Sequence, residues 1–288
     1  MQRHWVSLNG VLLPADEAKI SVFDAGFMQG VGLFETMRAH DGRVFRLDAH
    51  LARLIQSART LGWTVLPDAG QMADNVRQVL RATSAADARV RLTVTTGSLH
   101  ADASDVPQLT VVATAAPLEK YPDELYTKGV TVIVSPTRQN PTDPTCGHKT
   151  TSYFARLAAL RSAHQQAAFE ALWLTPDGFV AEGSISSVFV VRDEQLLTPP
   201  LGTPVLPGIT RAVLMDLAVE LDIPVRELPL TLPEVQEAEE LFLCNSVMEV
   251  VPVVRIGRQP IGNEKVGETT RKLAVAYTEL VNEECIGG

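Results

Sequence analysis

Only three cysteines occur in 288 residues, Cys146, Cys244 and Cys285, an odd number spread without metal-ligand spacing. Neither a disulfide framework nor a zinc site is expected, and no metal is assigned. Basic charge is also scarce: 25 Lys and Arg against 34 Asp and Glu leave a formal net charge of −9. A phosphate backbone or an anionic membrane surface would be repelled, so neither nucleic acid nor a membrane is an expected partner. No apolar stretch is long enough for a signal peptide or a membrane span, and the expected location is cytoplasmic. No repeat period is found, which excludes a solenoid. What is there, 45% hydrophobic and 20% charged, is a folded globule of a length that suggests two packed units. Local basic residues in a cleft can still attract a small anionic substrate.

Turn chemistry and periodicity order the first third of the chain. Asn9-Gly10 and Asp41-Gly42 interrupt apolar runs over 6–13 and 33–47, and both dipeptides accept the positive φ angles of a two-residue hairpin. Leu51, Leu54, Ile55, Ala58 and Leu61 fall at helical spacing, with Asp48 as the expected cap and Gly62 as the stop. A second helix is predicted over 70–81 and strands over 89–96 and 108–115. The period is lost over 117–128, which marks the expected domain junction. Beyond it the pattern predicts strands over 130–135, 171–175, 185–192, 241–244 and 250–254. Helices are predicted from Lys149 to about 168, over 209–221, and from about 267. The whole reads as an α+β chain with a mixed sheet in its second unit.

Four features carry chemistry. Lys149 ends a Pro- and Gly-containing loop; a desolvated amine held there is neutral enough to form a Schiff base, although a single lysine also reads as a snorkelling surface residue. Pro207-Gly208-Ile209-Thr210-Arg211 opens an amphipathic helix, either as an anion cup or as plain helix punctuation with Thr210 as a cap. Arg53 lies one turn after His50 and is either solvated or a forked donor to a phosphate. Glu182 follows a strand-like Phe179-Val180, either facing a cleft or facing solvent, and Gly183 beside it allows close backbone approach. Together these are the parts a pyridoxal phosphate site needs.

The motifs that carry this combination run through nearly the whole chain. They are Gly32-Leu33-Phe34-Glu35-Thr36-Met37-Arg38, His50-Leu51-Ala52-Arg53-Leu54, Lys149, Glu182-Gly183-Ser184-Ile185-Ser186-Ser187-Val188-Phe189, Leu206-Pro207-Gly208-Ile209-Thr210-Arg211, and Asn245-Ser246-Val247-Met248-Glu249-Val250-Val251-Pro252-Val253. In this order the chain resembles the fold-type IV pyridoxal-phosphate enzymes, the class IV aminotransferase family, which includes branched-chain and D-amino-acid aminotransferases and aminodeoxychorismate lyase. The resemblance implies a two-domain fold: a smaller N-terminal α/β domain over 1–118, a linker over 119–128, and a larger C-terminal cofactor-binding domain over 129–288, mixed, β-barrel-like and flanked by helices. It implies pyridoxal 5'-phosphate as cofactor, a small-molecule amino substrate and a homodimer. Lys149 is then the Schiff-base lysine and the base that moves the Cα proton, and Glu182 faces the pyridine nitrogen. Arg53, Ile209, Thr210 and Ser246 hold the phosphate, Tyr153 lies near the phenolic oxygen, and Leu206 packs on the ring. Ser187 departs from the family, where asparagine is common.

Within the family, Thr36 and the run Asn245-Ser246-Val247-Met248 resemble the lyase, which releases pyruvate and 4-aminobenzoate on the route to folate, with Thr36 beside the reacting carbon. Glu249 resembles the aminotransferases, so a class IV aminotransferase acting on branched-chain, D-amino-acid or amine donors is the alternative. The stretch 98–106 lacks the arginine with which D-amino-acid enzymes hold a substrate carboxylate. Arg38, Arg91 and His100 are the substitutes, each also explicable as a solvent-facing strand or loop residue.

Overall fold

A computed structural model describes residues 4–100 and 108–286. Both dipeptide turns occupy left-handed backbone, with φ of 51° and 87° at Asn9 and Gly10 and of 48° and 75° at Asp41 and Gly42. That geometry twists a hairpin in the sense its strands need. It pairs β1 (Trp5–Leu8) with β2 (Val11–Pro14). After a short helix α1 (Ala25–Gln29), it also pairs β3 (Gly32–His40) with β4 (Arg43–Val44). Helices α2 (Leu47–Thr60) and α3 (Ala69–Thr83) follow, then β5 (Ala88–Thr95) and β6 (Thr110–Pro117). The six strands form one antiparallel sheet in the order β2-β1-β6-β5-β3-β4.

Strict alternation along β5 buries Ala88, Val90, Leu92 and Val94 against Leu51, Leu54, Met72, Val76 and Val79 of α2 and α3. It turns Arg89, Arg91 and Thr93 to the other face. On β3 the same alternation puts Leu33, Glu35, Met37 and Ala39 on the helix side, and Phe34, Thr36 and Arg38 on the side of Arg91. The expected cap of α2 is displaced. Arg46, in left-handed conformation, holds the N-cap position without a side-chain capping bond, and Asp48 lies inside the first turn.

The second unit carries α4 (Asp123–Thr127), β7 (Val130–Arg138), α5 (Phe154–Gln165), β8 (Glu170–Leu174), β9 (Val180–Gly183), β10 (Ser187–Arg192), β11 (Gln195–Thr198), α6 (Ile209–Glu220), β12 (Val225–Glu227), α7 (Leu232–Gln236), β13 (Glu240–Asn245), β14 (Glu249–Ile256) and β15 (Gln259–Pro260), and then α8 (Glu268–Cys285). Nine strands make a curled mixed sheet in the order β12-β11-β10-β13-β14-β7-β8-β9, with β15 on β14. Its inner strands are near-continuous apolar runs because both faces are covered, and Phe189 stacks on Phe242 at 5.1 Å.

The chain divides into Met1–Glu119 with His148–Ser152 and Val281–Gly288, and Lys120–Gly147 with Tyr153–Leu280. A contiguous 129–288 domain therefore needs correction at two places, and the expected linker holds the helix α4. The reason at 148–152 is backbone pairing. Phe34 N donates to Lys149 O (2.8 Å), Thr151 N donates to Gly32 O (2.9 Å), and Leu33 bridges Thr150. Residues engaged in that pairing cannot be helical, so the helix expected from Lys149 begins at Phe154.

Asp24, 1% exposed, ties this first unit together by accepting from Gly26 N (2.8 Å), Thr95 Oγ1 (2.8 Å) and Thr110 Oγ1 (2.7 Å). Asp24→Ala strands three donors, one buried and two half-buried, and should cost about 3 kcal/mol, read as a lowered urea midpoint at unchanged m-value. An unchanged midpoint would mean that these donors find water.

Candidate active site

On the first unit, Lys149 is half-buried and its Nζ lies 4.8 Å from the centroid of the Phe34 ring. The Arg91 guanidinium lies over the same ring at 3.8 Å. Thr36, half-buried, sits opposite Arg91 in the strand register. Of the other two expected substrate donors, Arg38 is engaged by Asp87 at 3.3 Å. His100 packs edge-on against Phe23, with 4.7 Å between ring centroids. Residues 101–106 of the stretch searched for an arginine lie outside the described residues.

Arg53 is not solvated. Its side chain is 9% exposed and donates through Nε (2.8 Å) and Nη2 (2.5 Å) to Glu35, which also meets His50 Nδ1 at 2.8 Å. Burial alone would raise the Glu35 carboxyl, but the Arg53 guanidinium and the His50 contact bring it from 4.5 down to about 2. Burial in turn lowers His50, against the pull of Glu35. Helix spacing in α2 makes the cluster possible: His50 and Arg53 are three residues apart, so they share the face that meets β3.

On the second unit, Glu182 lies on the terminal strand β9 yet is only 4% exposed, so the solvent-facing alternative does not hold. Arg156 Nη2 pairs with its Oε1, Gln139 Nε2 donates to the same oxygen (3.1 Å), and Leu206 N donates to Oε2 (3.0 Å). Leu206, expected only as a packing residue, thus also anchors the carboxylate through its backbone. The close approach at Gly183 is internal: an added Cβ would stand 2.1 Å from Ser186 Oγ and 2.3 Å from Glu170 Oε1. Tyr153 donates its hydroxyl to Ser184 O (3.0 Å). Ser246 sits half-buried in the β13–β14 turn, which Asn245 Oδ1 shapes by accepting from Val247 N and Met248 N at 2.9 Å each.

Gly208 is the N-cap of the 12-residue helix α6 and supplies no side-chain cap, and the first turn holds no acidic residue. Thr210 is inside the first turn rather than at the cap, 2% exposed, and its Oγ1 has no hydrogen-bond partner among the described residues. A buried hydroxyl without a partner is costly unless a ligand completes it, and a phosphate oxygen has the chemistry to do so. Ser187 borders this turn: a Cβ on Gly208 would lie 2.6 Å from Ser187 Oγ, so only glycine fits there.

Sequence reasoning missed Arg156, Gln139 and the Glu35–His50 support. Arg156 was findable, since it falls one helical turn after Tyr153; Gln139 is brought in only by the end of β7. Among the described residues no cluster of His, Cys, Asp and Glu can hold a metal, and no helix is long and apolar enough to cross a membrane.

The curled half-barrel sheet of the second unit, with the lysine carried on paired backbone of the first, defines the class as that of the fold-type IV enzymes. The family description "Amino-transferase class IV" matches residues 32–256, and the chain belongs to that family. It is 37% identical, over 96% of both chains, to a putative branched-chain-amino-acid aminotransferase of Methanocaldococcus jannaschii. Aminodeoxychorismate lyase of Bacillus subtilis is 28% identical over 96% of this chain and 94% of its own. The crystal structure of branched-chain amino acid aminotransferase from Thermobaculum terrenum, in its pyridoxal-phosphate holo form, superposes with a TM-score of 0.86 at 25% identity, covering 98% of this chain and 95% of that one. The order of preference read from Thr36 and Asn245–Met248 is thereby reversed: the chain is a class IV aminotransferase, and the lyase becomes the second reading.

The Glu35 cluster makes the first unit sensitive to acid. The native carboxyl titrates lower than its unfolded value, so its contribution is complete above about pH 4.5 and is lost as pH falls toward 2. Glu35→Gln leaves Arg53 buried without its anion and should cost roughly 3–5 kcal/mol at pH 7. Denaturation followed against pH should show that gap narrowing below pH 4.5; a gap independent of pH would rule out the ion pair as its source.

Proposed function

We propose that this chain is a pyridoxal 5'-phosphate-dependent aminotransferase that moves an amino group between a small apolar amino acid, branched-chain substrates foremost, and a 2-keto acid. The observation that carries the cofactor is Thr210: a buried hydroxyl without a partner, at the uncapped positive end of α6, suits a phosphate. The branched-chain preference rests on the relatives named above and on the apolar Phe34 ring beside Lys149.

When bound, the cofactor supplies an aldehyde for an amine and a ring that accepts the electron pair left by a departing proton. Lys149 would provide the amine that holds the cofactor and, once the substrate amine has displaced it, would be the base for the substrate Cα proton. Glu182, held by Arg156, Gln139 and Leu206 N, would face the ring nitrogen, with Leu206 on the ring and Tyr153 by the phenolic oxygen. Thr210, Ile209, Ser246 and Arg53 would hold the phosphate, and the grip of Glu35 on Arg53 sets that guanidinium in place before any ligand arrives. Arg91 is the donor for the substrate carboxylate, because it shares the Phe34 ring with Lys149. Thr36, on the same face, is what favours a lyase as the second reading, with 4-aminobenzoate as product.

Lys149→Ala should abolish the absorbance band near ~410 nm and lower turnover by at least roughly 10²–10⁴-fold. Thr210→Val should raise the cofactor dissociation constant about tenfold, the worth of one hydrogen bond to a charged group. Leucine, isoleucine and valine with 2-oxoglutarate should give keto acids; 4-aminobenzoate from aminodeoxychorismate without keto-acid formation would install the second reading instead.

We extend the proposal to a cytoplasmic homodimer. Exposed apolar side chains crowd the segment 20–31, including Val22, Phe27 and Met28 at 64%, 70% and 50% exposure, and such a surface is unusual for a monomer. Light scattering should give about twice 31.2 kDa, and a monomeric mass at working concentration would end this part.

A further inference from the structure

We propose that Arg156 sets the pH at which the site gives up the proton shared by Glu182 and the ring nitrogen of a bound pyridine cofactor. The guanidinium acts as a fixed positive charge behind the carboxylate. The inference rests on the cofactor reading above and concerns a positioning residue, since Arg156 acts through Glu182.

Arg156 is locked from several sides. Its Nη1 donates to Gly183 O (3.1 Å) and Ser184 O (3.4 Å), its Nη2 to Gln139 Oε1 (3.1 Å) and to Glu182, and its guanidinium carbon lies 5.4 Å from the centroid of the Trp173 ring. A group held by the β9–β10 turn, by β7's end and by an aromatic face cannot swing away when a ligand binds. Glu182 Oε1 is therefore taken up by Arg156 and Gln139, while Oε2 accepts from the Leu206 amide.

A carboxylate and a pyridine nitrogen that face each other titrate as one coupled unit. A nearby cation lowers the proton affinity of that unit wherever the proton sits, because protonation adds a second positive charge beside the first. The other titratable groups around this spot are Tyr153 on α5, Cys146 in the preceding loop and Glu170 on β8. Burial lifts Glu170 to about 7, with Ile185 N and Ser186 Oγ donating to its Oε1, so near neutral pH it carries about half a negative charge and acts in the opposite sense to Arg156. Arg156 is the cation in direct contact with Glu182, and it weakens the carboxylate's hold on a ring proton.

The test uses holoenzyme loaded with ¹⁵N-labelled pyridoxal phosphate and reads the ring-nitrogen chemical shift against pH. Arg156→Gln keeps hydrogen-bond donors for the Gly183 and Ser184 carbonyls but removes the charge. Its ring nitrogen should lose its proton about one to two pH units higher than in the wild type. Arg156→Lys keeps the charge and should titrate like the wild type. A glutamine variant that titrates like the wild type overturns the proposal, and so does a lysine variant that titrates like the glutamine one, since the effect would then belong to packing. Should the glutamine variant not fold, the wild-type titration alone decides: a ring nitrogen still protonated above about pH 10 rules out an attenuating cation. A wild-type protein that fails to bind the labelled cofactor at all sinks the cofactor reading as well, an outcome plainly separate from unchanged titration in a loaded variant.

Discussion

The antiparallel pairing of residues 149–151 with the start of β3 is the constraint on which the candidate site depends. One hydrogen bond from Phe34 N to Lys149 O, continued by Thr151 N to Gly32 O, takes the lysine out of any helix and stretches it along a sheet. Backbone bonds of this kind are directional, so they set the exit vector of the side chain as well as its place. The amine consequently sits over the Phe34 ring, on the sheet face where Thr36 and Arg91 also point. Gly32 serves the same end: a Cβ there would stand 2.9 Å from Thr151 Oγ1, so a side chain at 32 would push the paired segment away.

Two arginine–glutamate pairs, one in each unit, are built alike and do different work. In the first, Glu35 is the more deeply buried partner, at 1% exposure against 9% for Arg53, and the carboxylate spends its charge in fixing a cation. In the second, Arg156 is pinned by carbonyls and Gln139, and it fixes Glu182 in turn. Pairing lets both survive burial, since a lone charge in either place would be costly.

Much of this was legible in the chain. The Asn-Gly and Asp-Gly hairpins, the alternation along β5, and the helices over α2, α3, α6 and α8 rest on local rules: φ preference, period two and period 3.6. Glu182, Thr210 and Lys149 could be singled out because a carboxylate after a strand, a hydroxyl at a helix start and an amine after a Pro/Gly loop are each locally recognisable. The short strands β11, β12 and β15 and the helices α1 and α7 were not legible, since two to five residues carry too little pattern. The ranking of lyase above aminotransferase also failed, because Thr36 and Asn245–Met248 are two short signals set against similarity spread over the whole chain.

Residue order by itself determined where the chain turns, which faces of its strands and helices are apolar, and which residue types stand ready for chemistry, because those properties act over a few bonds. Tertiary structure alone decided which charges meet. Glu35 and Arg53 are separated by 18 residues, Arg156 and Glu182 by 26, and Gln139 and Glu182 by 43, and no local rule spans such gaps. It also decided that Lys149 is extended, since a strand forms only when its partner arrives to accept its hydrogen bonds.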